Sequence, residues 1–470
     1  MKDLLKSLSD GDNILITGGA GVGKTYHTNK IIEKLKQKNV KFAVCAMTGL
    51  ASQHLHFGIT LHRFLQTGMA QRPEDFDDLT DSMIFQENLK TICNVETIII
   101  DEVSMMRADY LELMDLVLKE ARIFRNIQNK NLFDQKELMP FGGYQIIMVG
   151  DFCQLPPVIK EKEVVKHRWI FQHKTFIEAK FRVYNLTETK RTSDPLFANT
   201  LNKIRVGFFD EDVLSMLKDR FNAVLDGEAT VLMSRVNAVR DYNEERLKQH
   251  SGASIKLYGN FSIREDIREN ESLIRRLYRM AITESGLEKL IELKVGCKVM
   301  ILANSSVMNY SNGSQGTLLG TLFFDELSNI FKSRIGHEYY LDYKHFGECL
   351  HVLLDSGEDV VVPKKAFPMY SNQVDSNGKR IIDVTYYQYP ITLGYAISAH
   401  KSQGMSLDHV IFDCSKIFTE GQFYVGLSRA RSLQGLSLLN FHPSYIRADQ
   451  DAVEFYLKIS GREQGEVYVD

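Results

Sequence analysis

The chain has 470 residues, of which 44% are hydrophobic and 25% are charged, a composition typical of a globular protein with more than one domain. Its formal net charge of −3 excludes a globally basic nucleic-acid-binding surface, so any strand contact must be a local groove. The N-terminus lacks the apolar core of a signal peptide, and no stretch approaches the length of a membrane span. Six cysteines without zinc-ligand or disulfide-framework spacing favour a reducing compartment. We therefore expect a cytoplasmic protein without membrane contact.

The first predicted strand, residues 13–17, leads directly into the glycine-rich stretch GGAGVGKT at 18–25. Apolar residues at helical spacing follow from Tyr26 to Lys38. Strand, glycine-rich loop and helix in this order predict a phosphate-binding loop, whose backbone amides hold a β-phosphate. In such a loop Lys24 neutralises the β- and γ-phosphate oxygens, and the Thr25 hydroxyl binds Mg²⁺. The alternative is a glycine-rich turn that binds nothing.

An acidic pair follows the next buried strand, residues 97–100: Asp101 and Glu102 come directly after three isoleucines. One carboxylate at such a strand end can hold Mg²⁺, and a second can polarise the attacking water. We assign the first role to Asp101 and the second to Glu102, although an exposed strand end is the alternative. Together the two motifs predict hydrolysis of a nucleoside triphosphate.

Strand-like apolar runs alternate with helical stretches through the first part of the chain. The runs are 13–17, 42–47, 97–100, 145–149 and 182–186. This alternation predicts an α/β domain with a parallel sheet and with ligands at the carboxyl ends of the strands. Residues 67–96, rich in turn formers and acids, interrupt the pattern. We interpret them as a small insertion at the surface.

A second alternating region begins near Arg191, and its apolar runs include 230–233, 297–302 and parts of 391–440. Residues 317–385 differ, because short β-prone runs are separated there by Gly, Asp and Asn. These runs are 318–324, 339–343, 351–354 and 360–362. They predict a small β-barrel inserted into a second α/β domain. Residues 262–292, dense in Arg and Glu at helical spacing, predict a solvated pair of helices.

Three further residues are candidates for contact with a γ-phosphate. Gln154 follows the strand 145–149, where its amide could sense the phosphate or the lytic water. Arg191 and Arg429 keep their charge near neutral pH, so either could act as an arginine finger from the second domain. A helix cap at Arg191 and a surface ion pair at Arg429 are equally consistent with the spacing.

Nine motifs resemble, in order, those of superfamily 1 DNA helicases of the Pif family, which is related to the RecD and Dda types. They are GGAGVGKT (18–25), AMTGLAS (46–52), TLHRF (60–64), IIIDEVSM (98–105), PFGGYQIIMVGDFCQLPPV (140–158), TETKRTSD (187–194), LKVGCKVMILAN (293–304), AISAHKSQGMSLDHV (396–410) and YVGLSRAR (424–431). They span nearly the whole chain. Residues 118–145 also resemble the segment that distinguishes the Pif family from other superfamily 1 helicases.

The resemblance implies two RecA-like P-loop NTPase domains, with a small strand-separating insert in the first and an SH3-like β-barrel insert in the second. The predicted boundaries are 1–66 and 97–190 for the first domain, 67–96 for its insert, 191–316 and 386–470 for the second domain, and 317–385 for the barrel. It also implies 5′-to-3′ translocation on single-stranded DNA, driven by ATP and Mg²⁺, with unwinding of 5′-tailed or forked duplexes. Phe76 and Phe85 are candidates for the separating pin, but a core role is equally consistent with the sequence.

The resemblance also implies roles for individual residues. Gln154 resembles the γ-phosphate sensor, and Arg191 and Arg429 resemble the two arginines that bridge the domains to the γ-phosphate. The nucleotide-binding set is Asn13, Gly18, Gly19, Ala20, Gly21, Val22, Gly23, Lys24, Thr25, Gln403 and Gly404. The residues with donors suited to the DNA backbone are Thr48, Thr60, His62, Ser398, His400 and Lys401. For His400 a buried histidine bonded to backbone is the alternative.

Two departures from the family pattern and several alternatives remain open. Residues 1–17 contain no glutamine that could read the adenine edge, so we assume ATP as the nucleotide without deducing it. Thr192 follows Arg191, as in the Dda type. A single-strand DNA translocase or remodeller without strong unwinding and an RNA-directed motor are the alternative functions. The substrate in genome maintenance, replication, repair or recombination could also be an RNA–DNA hybrid or a G-quadruplex. We expect a monomer, and the missing eukaryote-style extensions favour a bacterial or phage source.

Overall fold

A computed structural model describes most of the chain. The described residues are 2–48, 51, 55, 58–67, 70–80, 83–130, 134–159, 163–189, 192, 194–226, 228–305, 308–310, 312–323, 348–374 and 380–468. For residues 83, 84, 87, 284, 370–374 and 380 the description covers the backbone only. The chain divides into two compact units. The first unit comprises Met1–Phe221, Ile417–Gln434 and Phe441–Asp470, and the second comprises Asn222–Lys416 and Gly435–Asn440.

A six-stranded parallel sheet, in the order β3-β2-β4-β5-β1-β6, forms the centre of the first unit. Its strands are β1 (Ile14–Gly18), β2 (Phe42–Ala46), β3 (Ile59–Thr60), β4 (Thr97–Asp101), β5 (Gln145–Gly150) and β6 (Arg182–Leu186). The five apolar runs predicted as strands are thereby confirmed within one residue at each end. The two-residue strand β3 was not predicted, because it is too short for a periodic pattern.

The helices of the first unit cover this sheet. They are α1 (Lys2–Asp10), α2 (Lys24–Gln37), α3 (Leu61–Leu65), α4 (Phe76–Thr80), α5 (Met83–Ile92), α6 (Ala108–Gln128), α7 (Lys174–Glu178), α8 (Pro195–Arg205), α9 (Glu211–Lys218) and, from the later segments, α12 (Gln422–Leu427) and α13 (Gln450–Ser460). Successive residues of the strands point to opposite faces. Ile98 and Ile100 therefore pack into one apolar cluster, while Ile99 packs into another. Burial on both faces explains why the strands are continuous apolar runs.

Residues 67–96 are not all at the surface, because α5 contributes to the core of the first unit. Phe85, Leu89 and Ile92 are buried in the larger apolar cluster of that unit. Phe76 lies partly buried against the same cluster, and its ring meets that of Phe85 edge to face at 6.3 Å. The interpretation of the whole segment as a surface insertion is therefore wrong for α5. For Phe85 the core alternative is confirmed.

The second unit contains a four-stranded parallel sheet, in the order β18-β7-β19-β20, and three antiparallel sheets, in the orders β14-β13-β12-β11-β17, β15-β16-β9 and β10-β8. Its strands are β7 (Thr230–Met233), β8 (Ser254–Tyr258), β9 (Asn260–Ile263), β10 (Leu290–Lys294), β11 (Lys298–Ile301), β12 (Gln315–Phe323), β13 (Glu348–Leu354), β14 (Asp359–Val362), β15 (Lys365–Val374), β16 (Arg380–Gln388), β17 (Ile391–Leu393), β18 (Ala396–Ser398), β19 (Val410–Asp413) and β20 (Leu436–Leu439). Its helices are α10 (Val236–Gln249) and α11 (Glu271–Ser285).

The helix pair predicted for 262–292 is wrong, because α11 is the one α-helix of this segment, beside a single 3₁₀ turn at Glu265–Ile267, and both ends of the segment join sheets. β9 pairs with β16, and β10 pairs with β8. These pairings satisfy the backbone groups of both ends, while Leu277 and Ala281 give α11 a buried face. Three of the β-prone runs predicted within 317–385 fall in β12, β13 and β14, and the run 339–343 lies outside the described residues.

The short 3₁₀ helices are Pro73–Asp75, Val103–Met105, Gln135–Leu138, Pro140–Gly143, Ile170–Gln172, Glu265–Ile267 and Pro443–Tyr445. All six cysteines are buried free thiols. Among the described helices, none combines the length and the apolar character that a bilayer crossing requires.

Candidate active site

The stretch GGAGVGKT forms a loop between the carboxyl end of β1 and the first turn of α2. Gly18 has a φ of +136°, and a Cβ built on it would lie only 2.2 Å from the carbonyl oxygen of Leu186 in the neighbouring strand β6. A side chain is therefore excluded at this position by both conformation and space. Helix α2 begins at Lys24 after Gly23, which is left-handed. The first amides of α2 consequently point toward the loop, where they can bind an anion.

The Lys24 ammonium lies over this loop. Its Nζ donates to the carbonyl oxygens of Gly18 and Gly19, each at 2.8 Å. Burial lowers the pKa of Lys24, and the nearby carboxylates, above all Asp151, oppose that effect. The loop thus holds a cation at the place where phosphate oxygens would bind, using only neutral carbonyls as its hydrogen-bond partners.

Asp101 and Glu102 stand at the end of β4, two strands away from β1 in the sheet. The Asp101 carboxylate accepts the backbone N–H of Glu102 at 2.8 Å. Burial, followed by the charge of Asp101, raises the pKa of Glu102 to about 7. Burial also raises the pKa of Asp101, against the opposing effects of the Glu102 N–H and of Lys24. Glu102 is therefore a carboxylate that can accept a proton near neutral pH.

Gln154 and Arg429 both lie in the first unit, close to these groups. The Gln154 amide is buried and donates to Asp151 at 3.2 Å. The Arg429 side chain is only 1% exposed, so it does not form the surface ion pair considered as its alternative. It donates to the Val425 carbonyl at 2.8 Å and to the Ser428 hydroxyl at 2.7 Å. Its charge is among those that lower the pKa of Glu102.

Four residues at this site were not assigned a role from the sequence: Asp151, Arg205, Tyr424 and Tyr456. Arg205 of α8 binds both carboxylate oxygens of Asp151, at 2.8 to 3.2 Å. The Tyr456 hydroxyl donates to Asp151 at 3.1 Å, and the Tyr424 hydroxyl accepts the N–H of Ala20 in the phosphate loop at 2.7 Å. Asp151 and Tyr424 belong to motifs that the sequence displays, whereas Arg205 and Tyr456 lie on helices without a local signal.

One predicted nucleotide-binding residue of the first unit, Asn13, is not brought to this cluster. Asn13 precedes the amino end of β1, and its side chain bridges the Ala179 carbonyl and the Ile146 amide. Four residues of strand, at about 3.3 Å each, separate it from the loop. Gln403 and Gly404 belong to the second unit, where the Gln403 side chain is buried and its Nε2 has no hydrogen-bond partner among the described residues. Arg191 lies outside the described residues.

The predicted DNA contacts in the first unit share one edge of its sheet. Thr60 ends β3 beside Ala46 of β2, and Thr48 follows β2 by two residues. Both threonines therefore lie at the carboxyl edge of the sheet. Thr60 also caps α3 by accepting the N–H of Arg63. His62 in α3 stacks on Tyr110 with ring centroids 4.3 Å apart, and burial lowers its pKa, so it is a neutral donor or acceptor at pH 7.

The predicted DNA contacts in the second unit cluster at the end of β18. Ser398 is the last residue of that strand, and its hydroxyl accepts the N–H of Lys401 at 3.2 Å. Lys401 is exposed, whereas His400 is half-buried and burial lowers its pKa. The ammonium of Lys401 is therefore a charge that a phosphate could reach from solvent.

Hard oxygen ligands suited to Mg²⁺ are present at the nucleotide site. Thr25 is the second residue of α2 and has an exposed side chain, and Asp101 is the last residue of β4. No group of three or more His, Cys, Asp or Glu side chains among the described residues could hold a metal ion. This donor set fits Mg²⁺, which takes one or two protein ligands and completes its shell with water and substrate phosphates.

A sequence profile described as PIF1-like helicase matches residues 4–219. The ATP-dependent DNA helicase Pif1 of Psychrobacter sp. is 31% identical over 95% of this chain and 68% of its own length. That of Campylobacter jejuni is 30% identical over 97% of each chain.

Two solved structures share the fold. The crystal structure of Pif1 helicase from Candida albicans is 26% identical and matches 97% of this chain and 98% of its own with a TM-score of 0.70. The crystal structure of Pif1 helicase from Bacteroides in complex with ADP-AlF3 and ssDNA is 25% identical. It matches 100% of this chain and 98% of its own with a TM-score of 0.64. With the motifs, the loop and its carboxylates, these likenesses show that the chain belongs to the PIF1-like helicase family.

Proposed function

We propose that this chain is an ATP-dependent DNA helicase that moves 5′ to 3′ on single-stranded DNA and unwinds the duplex ahead of it. The observation that carries the proposal is the cluster at the carboxyl ends of neighbouring strands. Lys24 lies over the phosphate loop after β1. Asp101 ends β4, Glu102 follows it, and Gln154 follows β5. These groups can bind a nucleoside triphosphate and activate water.

The hydrolytic step uses the charges of this cluster. Glu102 orients the attacking water and accepts its proton, and a pKa of about 7 suits that task near neutral pH. Lys24 and Arg429 balance the negative charge on the transferred phosphoryl group. Thr25 and Asp101 are the residues that would hold Mg²⁺, which when bound neutralises charge on the β- and γ-phosphate oxygens. The Gln154 amide would report on the γ-phosphate.

DNA would be held by its backbone. Hydroxyl, imidazole and ammonium donors for phosphate oxygens are offered by Thr48, Thr60 and His62 in the first unit and by Ser398, His400 and Lys401 in the second. Contacts of this kind are independent of sequence and weaken as salt rises. The Bacteroides Pif1 helicase structure is a complex with ssDNA, which supports this choice of ligand.

The two inserts belong to the same proposal. We assign strand separation to residues 67–96, which interrupt a first RecA-like domain formed by 1–66 and 97–190. We assign an SH3-like β-barrel to residues 317–385, which interrupt a second RecA-like domain formed by 191–316 and 386–470. The antiparallel strands β12 to β16 support a β-rich insert. Because Phe85 is buried in the core, the separating element would be another part of the first insert.

The wider substrate range is part of the proposal as well. A 5′-tailed or forked duplex is the primary substrate, and G-quadruplexes and RNA–DNA hybrids are further ones. We propose that the protein acts as a monomer in the cytoplasm, as its composition and cysteine pattern predict. An RNA-directed motor is the alternative, and equal lengths of DNA and RNA compared as activators of the ATPase distinguish the two.

The deciding experiment compares partial duplexes with a tail on only the 5′ or only the 3′ side, in the presence of ATP and Mg²⁺. We expect separation of the 5′-tailed duplex alone. Lys24→Ala should lose turnover and unwinding but retain DNA binding. Lys30→Ala, which removes a lysine of the same helix whose ion-pair partner is Glu33, is the matched control and should behave as the wild type.

Two outcomes would contradict the proposal. Separation of the 3′-tailed duplex alone would refute the polarity. DNA-stimulated ATP hydrolysis without separation of either duplex would identify a translocase or remodeller instead.

A further inference from the structure

Asp151 is a buried carboxylate that lies beside the phosphate loop and is saturated with hydrogen bonds. It follows β5, the strand next to β1. Both of its oxygens accept from the Arg205 guanidinium, at 2.8 to 3.2 Å. It also accepts from the Tyr456 hydroxyl, the Cys153 amide and the Gln154 side chain, at 3.1 to 3.2 Å. Its side chain has no exposed surface.

Arg205 packs against two further neighbours, Tyr456 and Gly19. Its guanidinium carbon lies 4.0 Å from the centre of the Tyr456 ring. Its Cδ would lie 3.6 Å from a Cβ built on Gly19, so it packs against the phosphate loop. The Tyr456 hydroxyl is held by Thr17 of β1 and by the Phe152 amide. The C-terminal helix α13 therefore orients the arginine that binds Asp151.

Lys24 is, after Arg205, the second cation that interacts electrostatically with Asp151. Asp151 is the carboxylate that acts most strongly on the pKa of Lys24. The Lys24 ammonium nevertheless donates to the Gly18 and Gly19 carbonyls. Neutral carbonyls release an ammonium to a phosphate more easily than a buried carboxylate does, because the carboxylate adds a Coulomb attraction between opposite charges that a carbonyl lacks.

We propose that Arg205, oriented by Tyr456, is a positioning residue of the ATPase: it occupies Asp151 and so keeps the Lys24 ammonium available to the phosphates of the nucleotide. Without Arg205, the buried Asp151 carboxylate has no full counter-charge, and Lys24 is the cation that can replace it. The lysine would then be bound to Asp151 when the nucleotide arrives. A buried charge that has lost its partner is strongly unfavourable, which supplies the driving force for this exchange. The inference rests on the proposed nucleotide site at Lys24.

The test measures the dissociation constant of a fluorescent ADP analogue for the full chain. Arg205→Gln should weaken binding about tenfold, the factor that corresponds to one charge-assisted hydrogen bond. Adding Asp151→Asn to it should return the affinity to within threefold of the wild type, because the carboxylate that captures Lys24 is removed. Lys203→Gln is the matched control: it removes a cation of the same helix whose ion-pair partner is Asp210, and it should bind as the wild type does.

A purely structural role of Arg205 is distinguished by the Lys24→Ala background. In that background Arg205→Gln should not weaken binding further, since no ammonium is left to be captured. A further loss of similar size would overturn the inference, because Arg205 would then act on the loop or the ligand directly. An Arg205→Gln variant that binds as the wild type does would overturn it as well.

Milder substitutions cover the case in which Arg205→Gln does not fold. Arg205→Lys keeps the charge and should retain most of the affinity, while Tyr456→Phe removes one hydrogen bond to Asp151 and should weaken binding two- to threefold. Wild-type affinity in Tyr456→Phe together with a tenfold loss in Arg205→Lys would contradict the proposed roles. A wild-type chain that does not bind the analogue would instead refute the proposed nucleotide site itself.

Discussion

Glu102→Gln should separate catalysis from binding and should also stabilise the nucleotide-free protein. The substitution keeps the shape of the side chain but removes its proton-accepting carboxylate. Loss of a general base lowers the rate typically 10²- to 10⁴-fold, or about 2.7 to 5.4 kcal/mol at 1.36 kcal/mol for each factor of ten. We expect kcat for ATP to fall within this range. Nucleotide affinity should persist or increase, because one of several neighbouring negative charges is removed.

The stability effect follows from the environment of Glu102. Burial and Asp101 raise its pKa from 4.5 to about 7, which corresponds to at most about 3 kcal/mol of unfavourable free energy when the carboxylate is ionised. An acid whose pKa is raised on folding contributes its full stability to the folded state below the unfolded pKa, where it is protonated in both states. This contribution is lost as the pH rises through the folded pKa. The free energy of unfolding of Glu102→Gln should therefore exceed that of the wild type by an amount that grows from pH 4.5 to about pH 7. Above pH 7 the difference should stay constant.

Trp169 provides the signal for this measurement, because it is the single tryptophan of the chain and is buried in the core of the first unit. Urea unfolding followed by its fluorescence, without Mg²⁺ or nucleotide, should be compared between pH 5 and pH 8. Glu33→Gln is the matched control, because Glu33 is 57% exposed in α2. A stability difference between Glu102→Gln and the wild type that does not change with pH would refute the reasoning, as would a variant with wild-type kcat.

Four other substitutions test the core, the DNA contacts and the phosphate loop. Phe85→Ala should lower the free energy of unfolding by about 3 to 5 kcal/mol, and Phe76→Ala should lower it less, since Phe76 is only partly buried; urea unfolding checks both. Lys401→Ala should weaken binding to all single-stranded DNA sequences alike and reduce the slope of log affinity against log salt by about one, as measured in a salt titration. Gly18→Ala places a Cβ 2.2 Å from the Leu186 carbonyl oxygen, so its melting temperature should fall and ADP binding should be lost.

The parts of the fold that could be predicted from the sequence are those with a local cause. β4 and β5 are runs of apolar residues buried on both faces, so each run identifies its own strand. The segment 262–292 is dense in Arg and Glu at helical spacing, yet its two ends lie in β9 and β10, because partners elsewhere in the chain pair with them. Pairing of this kind overrides a weak local preference. The predicted helix pair failed for that reason.

The same distinction applies to the candidate site. Lys24, Asp101 and Gln154 stand in short motifs whose spacing already indicates phosphate chemistry. Arg205 is 54 residues from Asp151, and Tyr456 is 305 residues from it. Each lies on an amphipathic helix of ordinary composition, and only the tertiary structure brings them to the carboxylate. Residues that position a catalytic group have no sequence pattern of their own when their contacts are this distant.

The path of the chain connects the nucleotide site to the second unit. The segment Ile417–Gln434, which carries Tyr424 and Arg429, belongs to the first unit. On one side it follows β19 by a few residues, and on the other it leads into β20, and these are adjacent parallel strands of the second unit. Tyr424 binds the Ala20 amide of the phosphate loop, and the charge of Arg429 acts on Glu102. In the proposed function, a nucleotide bound to the loop would compete for these groups and would therefore act on a segment joined at both ends to the other unit. Differential binding of this kind is what a motor requires in order to convert hydrolysis into a change of conformation.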